Sequence, residues 1–342
     1  MGRSIRAAAT ALWLSLLLAA PALAAEPESL IPVGRTVGLE LETDGIYVVG
    51  FDEDGASPAE AAGLRIGDRI RAVDGQPLEQ AEALRALTAA GGGGALRLDV
   101  ERDGKPLRFT VRPEARDGQL RLGLRVRDRI AGLGTVTFYD PESGLFGALG
   151  HGVSGDGDCP MVLRGGQAAE TQVTEVRRGE AGSPGSLLGP SSGGPLLGRI
   201  EQNTERGLFG HALEAGGSDS PAAGAVLEAE PALPLAERGE VRTGPAEILC
   251  CVAGSEPRRY RVEIEAVRLD PERCRDLRLA VTDPRLLEQT GGIVRGMSGS
   301  PILQNGKLVG AVTHVLVRDP TRGYGILIDH MLEAISTEAE AA

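Results

Sequence analysis

A serine in a glycine-rich turn is the strongest candidate for chemistry in this sequence. Ser298 lies in Gly296-Met297-Ser298-Gly299-Ser300-Pro301, with one glycine directly after it and another two residues before it. A hydrolytic nucleophile needs a serine on a tight turn, where free backbone N–H groups can bind an oxyanion and the chain can approach a carbonyl closely. We therefore expect Ser298 to be the nucleophile of an acyl-transfer reaction.

A second serine shows a similar pattern and has to be weighed against the first. Ser192 lies in Ser191-Ser192-Gly193-Gly194-Pro195, but it lacks a glycine two residues before the serine. Only about forty residues separate it from His151, which is a short separation for catalytic residues that span a domain. We interpret the Ser192 segment as a turn.

A serine nucleophile requires a general base, and the sequence has four histidines. His151 lies between two glycines after a strand-rich segment, which is typical of a functional loop, and it is the preferred base. His211, which follows Gly207-Leu208-Phe209-Gly210, is the alternative. His314 lies in an apolar strand and is expected to be a hydrogen-bonded structural residue, and His330, before the last helix, is expected to be peripheral.

The residues alone leave the orienting acid open. Asp283 precedes Pro284 just upstream of the serine turn, but the same pair is typical of a helix N-cap with proline at the first helical position. A capping role and a catalytic role are compatible. The other candidates are Asp158, Asp270 and Asp329.

Composition favours a soluble, mainly β chain around these residues. The sequence has 342 residues, of which 42% are hydrophobic, 25% charged and only 3% aromatic, so its cores must be aliphatic. Its 49 glycines favour turn-rich β structure. The net charge of −12 argues against a nucleic-acid-binding protein, because phosphate binding needs a basic surface.

The N-terminus has the pattern of an export signal. Arg3 and Arg6 precede an apolar run at 7–20, and Ala22-Leu23-Ala24 supplies small residues for cleavage. Residues 1–25 are therefore expected to be a signal peptide or, alternatively, an uncleaved anchor.

The cysteines are compatible with export but do not specify a bonding pattern. Cys159, Cys250, Cys251 and Cys274 allow three full pairings, and free buried thiols are an equal alternative. Cys274 is a plausible partner for one of the adjacent pair. Their spacing does not predict a zinc site, and no cofactor or metal is expected.

Residues 36–113, after an expected linker at 26–35, have the local signals of a small α+β module. Ser57 with Pro58 and Glu60 starts a short helix, and Asp74-Gly75 marks a tight turn. The predicted strands lie at 46–49, 69–73, 96–101 and 107–111, and a second helix lies at 78–88.

This module resembles a PDZ domain of the bacterial protease-associated type. The resemblance rests on Ser57-Pro58-Ala59 through Ala62-Gly63-Leu64, then Gly67-Asp68-Arg69-Ile70, then Val73-Asp74-Gly75. It implies a peptide-binding loop at Val37, Gly38 and Leu39, whose N–H groups would receive a peptide carboxylate, with the peptide adding as a strand beside helix 78–88. Alternatively, the module only docks on its own peptidase domain.

Residues 114–336 contain many short aliphatic strands separated by glycine, which predicts a β-barrel-type domain. A serine turn that leads into a hairpin is similar to the nucleophile of chymotrypsin-like folds, and this similarity implies an oxyanion hole formed by the N–H groups of Gly296 and Ser298. Residues 337–342 are expected to be a disordered tail. The expected fold is mainly β with α+β, a PDZ domain followed by a chymotrypsin-like β-barrel peptidase domain.

After Pro113 the chain resembles the stage IV sporulation protein B (SpoIVB) family of serine peptidases. The resemblance implies a triad of His151 as base, Asp283 as orienting acid and Ser298 as nucleophile. It rests on the segments 132–141, 146–152, 203–204 and 207–210, and on a longer run between Thr282 and Val315.

The resemblance also implies a cellular role. Members of the family are exported into the space between the forespore and mother-cell membranes during endospore formation. There they process their own N-terminus and cleave a membrane-anchored regulatory protein, which leads to sigma-factor processing. The expected partner of this chain is thus a protein or peptide substrate, and the alternative function is a non-catalytic PDZ scaffold.

Overall fold

A computed structural model of the chain describes residues 27–52, 57–155, 160–213, 223–267 and 274–339. The expected signal peptide lies outside these residues, as do Cys159, Asp158 and Asp270. In the described part of the chain, no helix has the length and apolar character needed to cross a membrane.

Strands dominate the described residues. The strands before residue 140 are β1 (Ser29–Pro32), β2 (Thr36–Phe51), β3 (Arg69–Val73), β4 (Gln76–Pro77), β5 (Leu96–Arg102), β6 (Lys105–Val111), β7 (Glu114–Arg116), β8 (Gln119–Arg121) and β9 (Leu124–Tyr139). The later strands are β10 (Leu145–Ala148), β11 (Leu163–Glu170), β12 (Glu175–Arg177), β13 (Ser186–Leu188), β14 (Leu196–Thr204), β15 (Gly207–Ala212), β16 (Leu233–Pro234), β17 (Gly244–Cys250), β18 (Arg258–Val267), β19 (Leu277–Val281), β20 (Pro301–Gln304), β21 (Lys307–Val315) and β22 (Arg322–Leu327). The helices are α1 (Pro58–Ala61), α2 (Ala81–Ala90), α3 (Ala223–Leu227), α4 (Pro284–Thr290) and α5 (Ile328–Ala339).

The first barrel is closed by β2. Strands β9, β10, β15, β14 and β11 pair in this order, and β2 pairs with both β11 and β9 to complete the ring. The interior is filled by apolar side chains such as Val37, Leu41, Phe146 and Leu208. Glycines in the strands make room for them, since a Cβ on Gly147 would lie 2.4 Å from the ring of Phe138.

The second barrel follows in the chain. Strands β17, β18, β19, β22, β21 and β20 form a closed ring whose core includes Ile248, Ile264, Leu279 and Ile302. Two closed six-stranded barrels in succession are the architecture that the chymotrypsin-like prediction requires. The predicted mainly β fold is therefore confirmed.

The PDZ module has a core of its own. Strands β3, β5 and β6 and helices α1 and α2 enclose Ile46, Ile70, Leu84 and Leu98. The predicted cap of α1 is present, because Ser57 Oγ accepts a hydrogen bond from Glu60 N at 3.2 Å. This agreement is expected, since an N-cap depends only on residues three apart.

Two long strands belong to both the PDZ module and the first barrel. The first half of β2 pairs with β9 inside the barrel, from Thr36 opposite Thr135 to Glu42 opposite Arg129. Its second half pairs with the start of β9 inside the PDZ module. The PDZ core therefore extends to Val126 and excludes the barrel half of β2, which differs from the predicted boundaries of 36–113.

Two terminal predictions are corrected by the structure. The segment expected to be a linker contains β1, which pairs with β9 and β16 and buries Leu30 and Ile31, so most of it is part of the fold. The segment expected to be a disordered tail begins inside α5, which continues to Ala339.

Of the four cysteines, three are described, and they are free thiols. Cys250, Cys251 and Cys274 are all buried. Burial raises the pKa of Cys274 to about 11, so it is a protonated thiol at neutral pH. The free-thiol alternative therefore holds for these three residues, and Cys274 does not pair with Cys250 or Cys251.

Candidate active site

The serine turn, residues 296–300, lies between α4 and β20 and packs directly against β9. Gly296 and Gly299 both have left-handed backbone conformations, with φ of 97° and 96°. A Cβ on Gly299 would lie only 1.9 Å from the carbonyl oxygen of Thr135. Because only glycine fits there, Ser298 O can accept a hydrogen bond from Thr135 N at 3.0 Å, and Thr135 Oγ1 donates to Gly296 O at 2.8 Å.

Two amides of the serine turn stand out from their neighbours. The N–H groups of Gly296 and Ser298 donate to no protein acceptor among the described residues. By contrast, the neighbouring N–H groups all donate to backbone carbonyls. These donors are the N–H groups of Arg295, Met297, Gly299 and Ser300. The turn therefore holds two unused donors on either side of Met297, which is the arrangement that an oxyanion hole requires.

His151 reaches the same place from the end of β10. Leu149 N donates to Thr135 O at 3.2 Å, on the strand that also holds Ser298. A Cβ on Gly150 would lie 3.1 Å from Thr313 Cγ2, so this segment also contacts β21. Leu149 and Gly150 both have left-handed conformations, with φ of 68° and 69°, so the chain bends tightly just before His151.

His314 lies against His151, which the sequence did not indicate. The two imidazole rings are 4.8 Å apart between centroids and are tilted by 34°. His314 Nδ1 is buried and has no hydrogen-bond partner in the described chain. The expectation of a hydrogen-bonded structural histidine is therefore wrong at this nitrogen. The preceding residue, Thr313, accepts a hydrogen bond from Ser298 Oγ at 2.7 Å.

Burial controls the protonation of both histidines. It lowers the pKa of His314 to about 4, with further lowering by the nearby His151 and Arg275. Burial also lowers the pKa of His151, and this is partly opposed by the contact of Nδ1 with Gly152 O at 2.9 Å. A neutral His151 at pH 7 can accept a proton, as a general base must.

The carboxylate of Asp283 makes its hydrogen bonds to Arg261 and Arg285 and makes none to either histidine. One carboxylate oxygen accepts from Arg285 N and Nε, both at 3.0 Å, and the other accepts from Arg285 Nη2 at 2.8 Å and from Arg261 N at 3.2 Å. The hydrogen bonds from Arg285 hold the pKa of this carboxyl well below its usual range. The structure therefore gives Asp283 the capping role at α4, and it corrects the expectation that this residue orients His151.

The remaining candidates lie elsewhere. His211 is exposed on β15 and contacts Glu201 at 3.0 Å. His330 is not peripheral as expected, because it is only 3% exposed and its Nδ1 lies 2.7 Å from Asp276 Oδ2. Asp329 pairs with Arg238. Ser192 is exposed in a bend of the chain.

In the part of the chain that is described, no group of three His, Cys, Asp or Glu side chains could hold a metal ion.

The predicted peptide-binding loop at Val37, Gly38 and Leu39 is not a loop. These residues lie in the middle of the first barrel, where β2 pairs with β9 on one edge and with β11 on the other. Val37 is fully buried. Since both edges of the strand are occupied, its backbone groups cannot receive a peptide, and this prediction is wrong.

A groove on the PDZ module has backbone N–H groups without acceptors, which were expected at that loop. It has a volume of about 1060 Å³ and is lined by one face of α2 and by residues 118–126. The carbonyls of Leu122 and Gly123 accept hydrogen bonds from Ala59 N and Ser57 Oγ. Their N–H groups donate to no acceptor among the described residues. We call this site the PDZ groove.

The comparisons with known proteins agree with this arrangement. Residues 54–102 match a PDZ domain family. Regulator of sigma-E protease RseP of Escherichia coli strain K12 is 47% identical over 62 residues, which cover 18% of this chain and 14% of that protein. The protein of the same name from Salmonella typhimurium is 36% identical over 91 residues, covering 27% and 20%. The chain thus spans well under a third of these relatives.

One solved structure is also similar to part of this chain. The PDZ domain of the SdrC-like protein from Listeria monocytogenes is 20% identical, with coverage of 25% of this chain and 90% of that domain and a TM-score of 0.22. The larger match is to the rest of the chain, because residues 118–332, more than half of its length, match the family described as SpoIVB peptidase S55. This chain is therefore a PDZ-containing member of the SpoIVB S55 family of serine peptidases.

Proposed function

We propose that the chain is a serine endopeptidase in which Ser298 is the nucleophile and His151 the general base. The pair of unused amides at Gly296 and Ser298 carries this proposal, because two donors aimed from one turn are what a developing oxyanion needs. Both residues are partly exposed, so their amides can be reached by a substrate.

The reaction follows from the positions of these groups. Ser298 Oγ leaves its hydrogen bond to Thr313 O, turns toward His151, and passes its proton to the imidazole as it attacks the peptide carbonyl. The N–H groups of Gly296 and Ser298 hold the oxyanion. Protonated His151 then donates its proton to the leaving amine, and a water molecule that His151 activates hydrolyses the acyl-enzyme. The Gly152 carbonyl, rather than a carboxylate, orients Nδ1.

A fluorophosphonate probe tests this assignment directly. The probe should label the wild-type chain and Ser192→Ala, which removes an exposed serine outside the site, and it should fail to label Ser298→Ala. His151→Gln should be labelled at least about a hundredfold more slowly, because it lacks the base. Equal labelling of Ser298→Ala and the wild type would overturn the proposal.

The PDZ groove supplies recognition of a peptide or protein substrate. Two adjacent unused amides beside the groove suit a C-terminal carboxylate, and the neighbouring strand edge suits an extended peptide. We propose the groove, in place of the segment at Val37 to Leu39, as the peptide-binding site of this chain.

The cellular role proposed for this chain follows its family. Export, self-processing at the N-terminus, and cleavage of a membrane-anchored regulator during endospore formation are supported by family membership and by the leader pattern of residues 1–25. Complementation of a spore-forming host that lacks its own family member is the test. Rescue of sporulation by the wild type but not by Ser298→Ala is expected, and rescue by both would exclude a proteolytic role.

Two observations favour a non-catalytic scaffold as the second candidate function. The Ser298 hydroxyl donates to a backbone carbonyl, and Asp283 is fully engaged by Arg261 and Arg285. A scaffold would keep binding peptides through the PDZ groove and would show no labelling at Ser298. The probe experiment therefore separates the two functions.

A further inference from the structure

Strand β9 connects the PDZ groove to the serine turn without interruption. Its first residues, Leu124 to Val126, line the groove, and eleven residues after Leu124 the N–H of Thr135 holds Ser298 O. The register shifts in the β2–β9 pairing place the extra residues in β2, so β9 is regular between Leu124 and Thr135. Both sites therefore lie on one rigid element.

One edge of β9 is open between these two sites. Strand β2 pairs with one edge throughout, and the other edge is joined by β10 only from Val136 onward. In the described part of the chain, no strand pairs with that other edge from Leu124 to Leu133. We call this stretch the open edge.

The backbone groups on the open edge can be identified from Thr135. Its N–H and C=O bond to Ser298 and Leu149, so both point away from β2. Because these directions alternate along an antiparallel strand, the N–H and C=O groups of Leu133, Ala131 and Arg129 point the same way. They form a row of donors and acceptors that ends beside the nucleophile.

We propose that the open edge is a track for the substrate, which sets the distance between the cleaved bond and the substrate's C-terminus. An extended peptide whose carboxylate binds the amides of Leu122 and Gly123 would run antiparallel to β9. Its upstream residues would then pair with the open edge and reach Ser298. This inference rests on the proposed peptidase function and names the substrate class, a protein with an unstructured C-terminal tail.

The structure gives the length of this track. In an antiparallel pair, one ligand residue lies opposite each strand residue, so about eleven residues separate the carboxylate from the cleaved bond. At about 3.4 Å per residue, this corresponds to about 37 Å. A tail shorter than this cannot engage both sites, whereas a longer tail can bulge and still do so.

Charge favours an acidic tail. Arg121, Arg125, Arg127 and Arg129 are all exposed along this part of the chain, within a protein whose net charge is −12. Arg129 pairs with Glu42 at 3.3 Å, and Asp128 accepts a hydrogen bond from Ala81 N at the start of α2. Asp52 and Glu82 lie at the groove itself, so the basic character is confined to the open edge, where Arg121 and Arg127 would lie beside an acidic peptide.

A length series of peptides tests the proposal on the full chain. Each peptide carries one fixed cleavage sequence followed by 4 to 20 residues of an acidic tail that ends in a free carboxylate. We expect kcat/KM to rise at least tenfold as the tail reaches about eleven residues and to fall gradually beyond that, as effective concentration declines with tail length. Amidation of the C-terminus should remove the rise, and a basic tail should weaken it.

A proline at Ala131 tests the track itself. Ala131→Pro removes one N–H from the open edge, a position where proline is tolerated in a strand. It should lower kcat/KM for the optimal tail at least tenfold relative to the wild type. Ala131→Val, which keeps the N–H, is the matched control. The melting temperature and the fluorophosphonate labelling rate report whether Ala131→Pro is folded and its serine is active.

The outcomes separate this inference from the peptidase function. Efficient cleavage that does not depend on tail length or on the free carboxylate overturns the track but leaves the peptidase intact. An absence of labelling and of cleavage for every peptide overturns the peptidase function itself. If Ala131→Pro is folded, labelled and as active as Ala131→Val on the optimal tail, the open edge is not the track.

Discussion

Replacement of Asp283 by asparagine tests whether this residue caps helix α4 or takes part in catalysis. The Asp283 side chain is only 1% exposed, and the Arg285 side chain is 65% exposed. Breaking a buried charge pair costs about 3–5 kcal/mol, but asparagine keeps the cap bond to Arg285 N and the guanidinium remains in water. We therefore expect Asp283→Asn to lower the free energy of unfolding by about 2–3 kcal/mol.

The effect on catalysis should be much smaller than a triad acid would give. An amide in place of the acid of a catalytic triad lowers kcat by about 10⁴. The carboxylate of Asp283 bonds to Arg261 and Arg285 and not to His151, so kcat/KM of the folded variant should stay within about tenfold of the wild type. Urea unfolding gives the first quantity, and peptide cleavage well below the melting temperature gives the second.

Arg285→Gln is the control for this experiment, because it breaks the same ion pair and leaves the carboxylate in place. Both variants should be destabilised to a similar degree and remain active. The carboxyl pKa lies below its usual value, so its stabilisation is complete above pH 3.8 and is lost as the pH falls further, a loss that Asp283→Asn should not show. A folded Asp283→Asn with a loss of more than about 10³ in kcat/KM would refute the capping assignment.

Two further predictions concern the histidine pair. Because burial lowers the pKa of His151 from 6.5, kcat/KM should stay high below pH 6.5, and its acid limb, measured in a pH–rate profile, should have an apparent pKa below that value. The pKa of His314 is lowered from 6.5 to about 4, so the unfolded chain binds its proton first as the pH falls. The free energy of unfolding of the wild type, measured with urea, should therefore fall by up to about 3 kcal/mol between pH 6.5 and 4. The fall should be smaller for His314→Gln.

Local signals in the sequence predicted local structure well. The caps of α1 and α4 depend on residues two or three apart, and the structure has both of them. The serine turn depends on glycines one and two residues from Ser298, and both glycines adopt the conformations that such a turn requires. The role of Asp283 also follows from a nearby residue, because its carboxylate binds Arg285, two positions away. The family resemblance had implied a catalytic role instead.

Features that depend on strand pairing could not be predicted from the sequence. Val37 to Leu39 precede a predicted strand, as a loop would, but the residues that pair with these three come from more than ninety residues further along the chain. The position of His314 depends on an irregularity in the β21–β22 pairing between Val312 and His314, which changes the face that a side chain reaches. Alternation of apolar residues carries no signal for either feature.

The shared strands also decide how the PDZ module can influence the peptidase. A flexible linker would let the two sites find each other by diffusion, and selectivity would then depend only weakly on substrate length. Here the backbone of β9 fixes the separation, because β2 pairs with it from Thr135 to Leu124. Thr135 also holds Ser298 O and Gly296 O, so β9 anchors the turn that carries both proposed oxyanion donors. Under the proposed mechanism, selection by the PDZ groove acts through the position of the substrate, and substrate length becomes the property that the fold can discriminate.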